Sequence, residues 1–140
     1  MLGRAHTGSD LEVLLPREKI LYMSEVFSNR IFPSLANGYP SEWIAALQKA
    51  EALDVDVYVP AHAAMSTGHL FTSRDEVRLC RQALERVVSE GRRLHDAYVL
   101  VDAAAASASF GDIGAWMRAA ENALGAFKRV YMELDKELKP

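Results

Sequence analysis

Two histidines and a glutamate in this sequence have the types and the spacing that a divalent-metal site requires. His6 precedes one apolar run, Glu25 follows the next, and His62 follows a third. Neutral imidazole nitrogens and a carboxylate oxygen are ligands that zinc, iron and manganese accept. Structural roles fit the same residues: His6 at the start of a strand, Glu25 at a solvated strand end and His62 in a turn. Spacing alone therefore leaves the metal-site and the structural interpretations open.

Three apolar runs predict the strands that would position these residues: 11–15, 19–23 and 55–59. The short segment between the first two contains a proline, which favours a turn and predicts an antiparallel hairpin with Leu15 opposite Ile20. This register places Asp10 opposite Glu25, with His6 just beyond the same end. We expect Asp10 to support the site by accepting hydrogen bonds from the turn that carries His6.

A helix between the second and third runs brings the third histidine to the same edge. Pro40 and Ser41 predict its start, with Ser41 as the N-cap. A strand, helix and strand in one sheet form a right-handed crossover, so the third strand should run parallel to the second and end beside it. His62 should then lie near Glu25, at the edge where α/β sheets bind ligands. The nearly continuous apolar runs also predict a sheet covered on both faces.

The second half of the chain is predominantly helical by pattern. Ser73 and Glu76 form an S-x-x-E capping box before a long amphipathic helix. Residues 97–110 also favour helix, and a last amphipathic stretch runs over 116–138, where Gly125 could split or kink the helix. We find no functional motif in this tail, so helix packing or a dimer contact is the default role.

Other candidate residues are better explained by structure than by chemistry. Cys80 lies on the apolar face of the long helix and is predicted to be core. His69 could be a proton shuttle or a further ligand, although a lone loop histidine is usually neither. His95 lies near the end of a helix, where an imidazolium favours the helix dipole. Serine-nucleophile and nucleotide-binding motifs do not occur.

Length, charge and composition limit the number of domains and the expected partners. The chain has 140 residues, half of them apolar, and a formal charge of -3, which indicates a single domain over 1–140. Lys and Arg are dispersed, so neither nucleic acid nor a membrane surface is an expected partner. The most apolar tract is interrupted by Asp102 and is too weak for a membrane span. A lone cysteine excludes a disulfide framework and fits a cytoplasmic location.

At these residues the sequence resembles the metallo-β-lactamase-fold hydrolases. The segment from His6 to Asp10 is similar to their H-T-x-G-D motif, which supplies a zinc histidine at His6. The segment ending at Glu25 is similar to L-F-x-G-D, whose aspartate bridges two metals. The segment around His62 is similar to V-V-P-G-H-G, whose histidine binds the second metal. The resemblance implies zinc or another divalent metal held by His6, Glu25 and His62.

The resemblance covers residues 5–95 and only the C-terminal half of that superfamily. The motif H-x-H-x-D-H, which supplies the other ligands, does not occur, and Glu25 stands where aspartate is usual. Ala61 and Ala63 replace the glycines around His62. The implied fold is α/β, half of an αβ/βα sandwich, with a small mixed β-sheet covered by helices and a helical C-terminal tail over 96–140.

The resemblance implies a metal-dependent hydrolase acting on an ester, thioester or lactam-like carbonyl. With half of the ligand set missing, we expect a truncated or degenerate form with low or no activity alone. The alternatives are a non-catalytic α/β dimerisation or interaction module, and a piece of a longer enzyme that carries the missing motif. Half a sandwich exposes one apolar sheet face, so we expect a homodimer through that face.

Overall fold

The structure, a computed structural model, describes residues 2–64 and 71–138, which fold as a mixed α/β arrangement. The strands are β1 (Val13–Leu15), β2 (Ile20–Tyr22), β3 (Ser28–Asn29), β4 (Val57–Val59) and β5 (His62–Ala63). The helices are α1 (Pro40–Glu51), α2 (Arg74–Asp96), α3 (Val101–Ser107) and α4 (Ala119–Leu134). None of the helices in these two described ranges is long and apolar enough to cross a membrane.

The first sheet has the order β1-β2-β4 and is mixed, as the sequence predicts. β1 and β2 are antiparallel with Leu15 opposite Ile20, which confirms the predicted hairpin register. β2 and β4 are parallel, with Tyr22 opposite Val59. Because the strands are parallel, the crossover through α1 ends β2 and β4 at the same edge of the sheet.

A second, two-stranded sheet forms beyond that edge, and the sequence analysis did not predict it. β3 pairs in parallel with β5, with Ser28 opposite His62. The backbone N–H of Ala61 also donates to the carbonyl of Phe27 at 3.0 Å. These bonds hold His62 beside the segment that follows Glu25.

Only one face of the three-stranded sheet is covered within the chain, so the prediction of two covered faces is wrong for the described residues. Leu21 and Tyr58 point into the core and are 2% and 0% exposed. Their neighbours Val13 and Tyr22, on the opposite face, are 47% and 41% exposed. The sequence pattern could not show this, because apolar residues occupy both faces. The opposite face also includes Leu15, Ile20, Val57 and Val59, all partly exposed.

The C-terminal helices share one hydrophobic core with the sheet and α1. Phe110, which follows α3, stands edge-on to Phe32 with ring centroids 5.0 Å apart. It stacks on Phe127 of α4 at 5.6 Å. The predicted tail is therefore integrated into the same core as residues 5–95.

The N-cap of helix α1 lies two residues earlier than the sequence predicts. Tyr39 is the N-cap and Pro40 the first helical residue, a position that suits proline because its nitrogen has no hydrogen to leave unpaired. Ser41 is therefore inside the first turn and is not the cap. Its hydroxyl instead donates to a carboxylate oxygen of Glu133 at 2.7 Å. A long-range partner on α4 thus replaces the predicted local one.

Helix α2 begins after Ser73 as predicted, but the capping box is not formed. The carboxylate of Glu76 accepts two hydrogen bonds from the guanidinium of Arg30, at 2.8 and 3.0 Å. A bidentate, charge-assisted pair is stronger than the neutral hydrogen bond of a capping box. This pair ties the start of α2 to the loop that follows β3.

Two further predictions about the tail need correction. The helical segment predicted over 97–110 is limited to α3, because Tyr98 has a left-handed backbone (φ 56°) that ends the preceding helix. Trp116 lies before α4, not within it. α4 continues through Gly125, where an added Cβ would lie 3.3 Å from the Cβ of Ala36. Glycine here permits a close approach and does not split the helix.

We expect Gly91→Ala to destabilise the fold by about 1 kcal/mol, because overpacking exceeds the gain in helix propensity. A Cβ at Gly91 would lie 2.8 Å from Val130 and 3.1 Å from Phe127, where α2 and α4 touch. Gly114→Ala is the matched control, since its Cβ would meet Phe110 at an ordinary 3.7 Å. Urea unfolding of both variants measures the difference; a Gly91→Ala protein as stable as wild type contradicts it.

Candidate functional site: a cleft at the sheet edge

A cleft of about 580 Å³ opens at the edge where β2 and β4 end. All three residues predicted as metal ligands, His6, Glu25 and His62, contribute to its lining. They come from three separate segments, and the fold brings them together as the strand connectivity predicts. The tail contributes Arg118 and Asn122, which the sequence analysis did not single out.

Glu25 and His62 form a direct carboxylate–imidazole pair in this cleft. Glu25 lies in a short 3-10 helix (Ser24–Val26) that follows β2, and His62 begins β5. Oε1 of Glu25 is 2.9 Å from Nε2 of His62. The side chains are 40% and 61% exposed, so both remain accessible from solvent. A carboxylate in this position fixes the orientation of the imidazole.

His6 occupies another part of the cleft wall. Its ring stands edge-on to the indole of Trp43, with centroids 5.6 Å apart. Trp43 is itself fixed, because its indole N–H donates to the carbonyl of Val26 at 2.8 Å. Nδ1 of His6 is buried and, within the described part of the chain, has no hydrogen-bond partner. A buried nitrogen without a partner is energetically costly.

Asp10 supports the turn that carries His6 in the way the sequence analysis expects. Its Oδ2 accepts hydrogen bonds from the backbone N–H groups of Ala5 at 3.1 Å and Thr7 at 3.0 Å. Its Oδ1 accepts from the hydroxyl of Thr7 at 3.0 Å. The N–H of Tyr39 then donates to the carbonyl of Ala5 at 2.8 Å. Asp10 therefore positions the backbone on both sides of His6.

The three predicted ligands do not form a complete metal centre. Across residues 2–64 and 71–138, no three His, Cys, Asp or Glu side chains form a group that could hold a metal ion. Glu25 and His62 offer two donor atoms close together, whereas catalytic zinc sites use three protein ligands. A tightly held resident zinc or other divalent ion therefore does not fit the described residues. The chemistry that they do fit is acid–base chemistry by the Glu25–His62 pair.

Cys80 also lines the cleft but is not a nucleophile. Burial raises the pKa of its thiol to about 12, so the reactive thiolate is scarce at neutral pH. The side chain belongs to the apolar face of α2 and is 3% exposed. This agrees with the prediction that Cys80 is a core residue.

Two further histidines occur in the sequence. His69 is outside the described residues. His95, in the last turn of α2, has its Nε2 3.1 Å from Oδ1 of Asp135, just past the end of α4. This hydrogen bond raises the pKa of His95 and links the ends of two helices. The fold thus contains a second histidine–carboxylate pair, remote from the cleft lining.

Arg118 and Asn122 were missed because nothing local marks them as functional. Arg118 is the N-cap of α4, and Asn122 lies one turn into the helix. The amide of Asn122 donates to the carbonyl of Phe32 at 3.0 Å, which anchors this end of α4 beside the cleft. Their place in the site depends on packing between α4 and the rest of the core, and sequence periodicity cannot specify that packing.

We expect Asp10→Ala to loosen the His6 turn without unfolding the protein. Losing the acceptor should cost about 1 kcal/mol locally, which corresponds to roughly fivefold faster hydrogen exchange at the amides of Ala5 and Thr7. Ser9→Ala, in the same turn, is the matched control because the Ser9 side chain makes none of these bonds. Exchange measured by NMR tests this; unchanged rates in Asp10→Ala would show that the carboxylate does not hold the turn.

Comparison of the sequence with models of known protein families and with curated proteins gives no match. The resemblance to metallo-β-lactamase-fold hydrolases therefore depends on the segments around His6, Glu25 and His62 and on their order in the chain. The function of the cleft is accordingly inferred from its side chains and their contacts.

Proposed function

We propose that this chain is a degenerate metallo-β-lactamase-like hydrolase, with the fold of one half of an αβ/βα sandwich and low or no activity by itself. The observation that carries the proposal is the convergence of His6, Glu25 and His62 on one cleft. These positions are far apart in sequence, and Glu25 and His62 touch at 2.9 Å. They are the residues that the resemblance implies as ligands.

The Glu25–His62 pair supports hydrolysis through proton transfer. Nε2 of His62 faces Glu25, which leaves Nδ1 of the same ring as the position that can take a proton from water as the water attacks a carbonyl. Glu25 stabilises the imidazolium that results. The apolar side chains of Ile31 and Phe32 line the same cleft and supply a surface for the acyl part of a substrate. General acid–base catalysis of this kind contributes on the order of a hundredfold or more in rate.

The role of a metal is limited by the donors that the chain provides. Zinc or another divalent ion would meet Glu25 and His62, with His6 on the neighbouring wall. Since two close donors are fewer than a catalytic site uses, we propose weak occupancy. A bound ion would supply Lewis-acid activation of water.

We expect His62→Ala and Glu25→Gln to lower any hydrolysis of 4-nitrophenyl acetate above the buffer rate by about tenfold or more. The same two changes should lower zinc uptake measured by equilibrium dialysis, because they remove the paired donors of the cleft. His95→Ala is the matched control. It breaks a similar histidine–carboxylate pair, with Asp135, that does not line the cleft.

The test has two readouts, ester hydrolysis and zinc uptake, so it remains decisive when the wild-type esterase rate is small. Hydrolysis or zinc binding that depends on His62 but not on His95 supports the proposal. A wild-type protein with neither property contradicts it. Equal losses in His62→Ala and His95→Ala would also contradict it, because they would indicate a general effect of removing histidine.

A second candidate function is a non-catalytic module that acts as a homodimer, and the uncovered sheet face favours it. Val13 and Tyr22 are cross-strand partners on that face and are 47% and 41% exposed. Leu11, just before β1, is 75% exposed. Contiguous apolar surface of this kind is typical of protein interfaces. We propose that a second copy of the chain covers it through a two-fold contact.

Val13→Lys combined with Tyr22→Lys should convert a dimer into a monomer, because opposed lysines would be desolvated and would repel across a two-fold axis. Leu100→Lys is the control, since Leu100 is 80% exposed and lies outside the sheet. Sedimentation equilibrium at micromolar concentration measures the change. A wild-type protein that is already monomeric there contradicts this second candidate.

A further inference from the structure

Arg118 brings a positive charge to the cleft that the proposed hydrolytic pair does not use. Its side chain lines the cleft and is 64% exposed. Its Nε lies 3.9 Å from a carboxylate oxygen of Glu121, and Glu121 is itself 74% exposed. An ion pair this long and this exposed is worth little. The guanidinium therefore keeps donor capacity for a ligand.

Arg30, which does not line the cleft, is an arginine with a structural role in this fold. Its guanidinium donates to both oxygens of Glu76, at 2.8 and 3.0 Å. That bidentate geometry uses the planar fork of the guanidinium fully. Arg118 has no comparable pair within the described residues. The guanidinium of Arg118 is thus not engaged in a bidentate ion pair.

The backbone holds Arg118 in place on both sides. Its φ of 65° is left-handed, which costs a residue other than glycine roughly 1 kcal/mol. Met117, directly before it, accepts a hydrogen bond from the N–H of Phe32 at 2.9 Å. The carbonyl of Arg118 accepts from the N–H of Asn122 at 3.0 Å. The guanidinium is therefore presented from a fixed backbone and not from a loose loop.

The rest of the lining suits an organic anion with an apolar body. Among the described lining residues, Arg118 carries the guanidinium and Glu25 the side-chain carboxyl group, and Glu25 already contacts His62. A ligand's negative group would be attracted to Arg118 and repelled by Glu25. Its apolar part would meet the carbon-rich portion of the cleft wall. This portion consists of Ile31, Phe32, Pro33, Trp43 and Met117.

We propose that the cleft binds small carboxylates carried on an apolar body, with the guanidinium of Arg118 as the charge partner of the carboxylate. This inference deepens the proposed function and rests on it for the substrate class. That class consists of esters that carry a free carboxylic acid at the end remote from the reacting carbonyl. The binding step itself depends only on Arg118 and the apolar wall.

Three ligands of nearly equal shape test the role of charge: phenylacetate, phenylacetamide and 2-phenylethylammonium. Binding is followed by the fluorescence of Trp43 in a Trp116→Phe background, where Trp43 is the remaining tryptophan and lines the cleft. Phenylacetate should bind more tightly than the amide, and the ammonium ion most weakly. Added salt should reduce the difference between acid and amide, because it screens an exposed charge.

The matched variants are Arg118→Gln, Arg118→Lys and Arg92→Gln. Arg118→Gln should raise the Kd for phenylacetate by roughly fivefold, the upper end for an exposed charge pair, and leave the Kd for the amide unchanged. Arg118→Lys should keep part of the preference for the acid. Arg92, an exposed residue of α2 outside the cleft lining, should have no effect when changed to glutamine.

Equal affinity for acid and amide, or equal loss in Arg118→Gln and Arg92→Gln, overturns the inference. Its failure is distinguishable from that of the proposed function. A wild-type protein that binds the acid in preference to the amide, but neither hydrolyses 4-nitrophenyl acetate nor takes up zinc, retains this inference and removes only the hydrolase. Hydrolysis that depends on His62, with no preference for acids, removes only this inference.

Discussion

The parallel pairing of β2 with β4 is the interaction on which the rest of the structure depends. Tyr58 is at its centre: it lies opposite Leu21, is fully buried, and donates its hydroxyl to the carbonyl of Ala50 in α1 at 3.1 Å. Its backbone exchanges two hydrogen bonds with Thr72 just before α2, both 2.9 Å. One residue thus joins the sheet to two helices. Because the strands are parallel, their ends meet, and the cleft forms where they meet.

The C-terminal helices complete that cleft and are not an appendage to it. Gly91 allows α2 and α4 to approach so closely that a single added carbon would clash with Val130. This contact, together with Phe110 packed between Phe32 and Phe127, fixes the start of α4 beside the sheet edge. A shift of α4 along α2 would move the side chains of Arg118 and Asn122 out of the cleft.

The two histidine–carboxylate pairs show that surroundings, more than the pair itself, decide what such a contact does. The imidazole–carboxylate distances are similar, 2.9 Å for His62 with Glu25 and 3.1 Å for His95 with Asp135. The first pair lines a cleft with apolar walls, where a substrate can reach it. The second links the ends of α2 and α4, and its hydrogen bond raises the pKa of His95. A general acid–base role is therefore inferred for the first pair alone.

The sequence by itself determined the hairpin register, the parallel crossover and the meeting of Glu25 with His62, because these follow from short-range turn chemistry and strand connectivity. Only the tertiary structure decided the second small sheet, the partners of Ser41 and Glu76, and the presence of Arg118 in the cleft. These features depend on side chains that are distant in sequence and on which helix packs against which face. Local patterns specify the elements and their order, whereas close packing of the core selects their mutual positions.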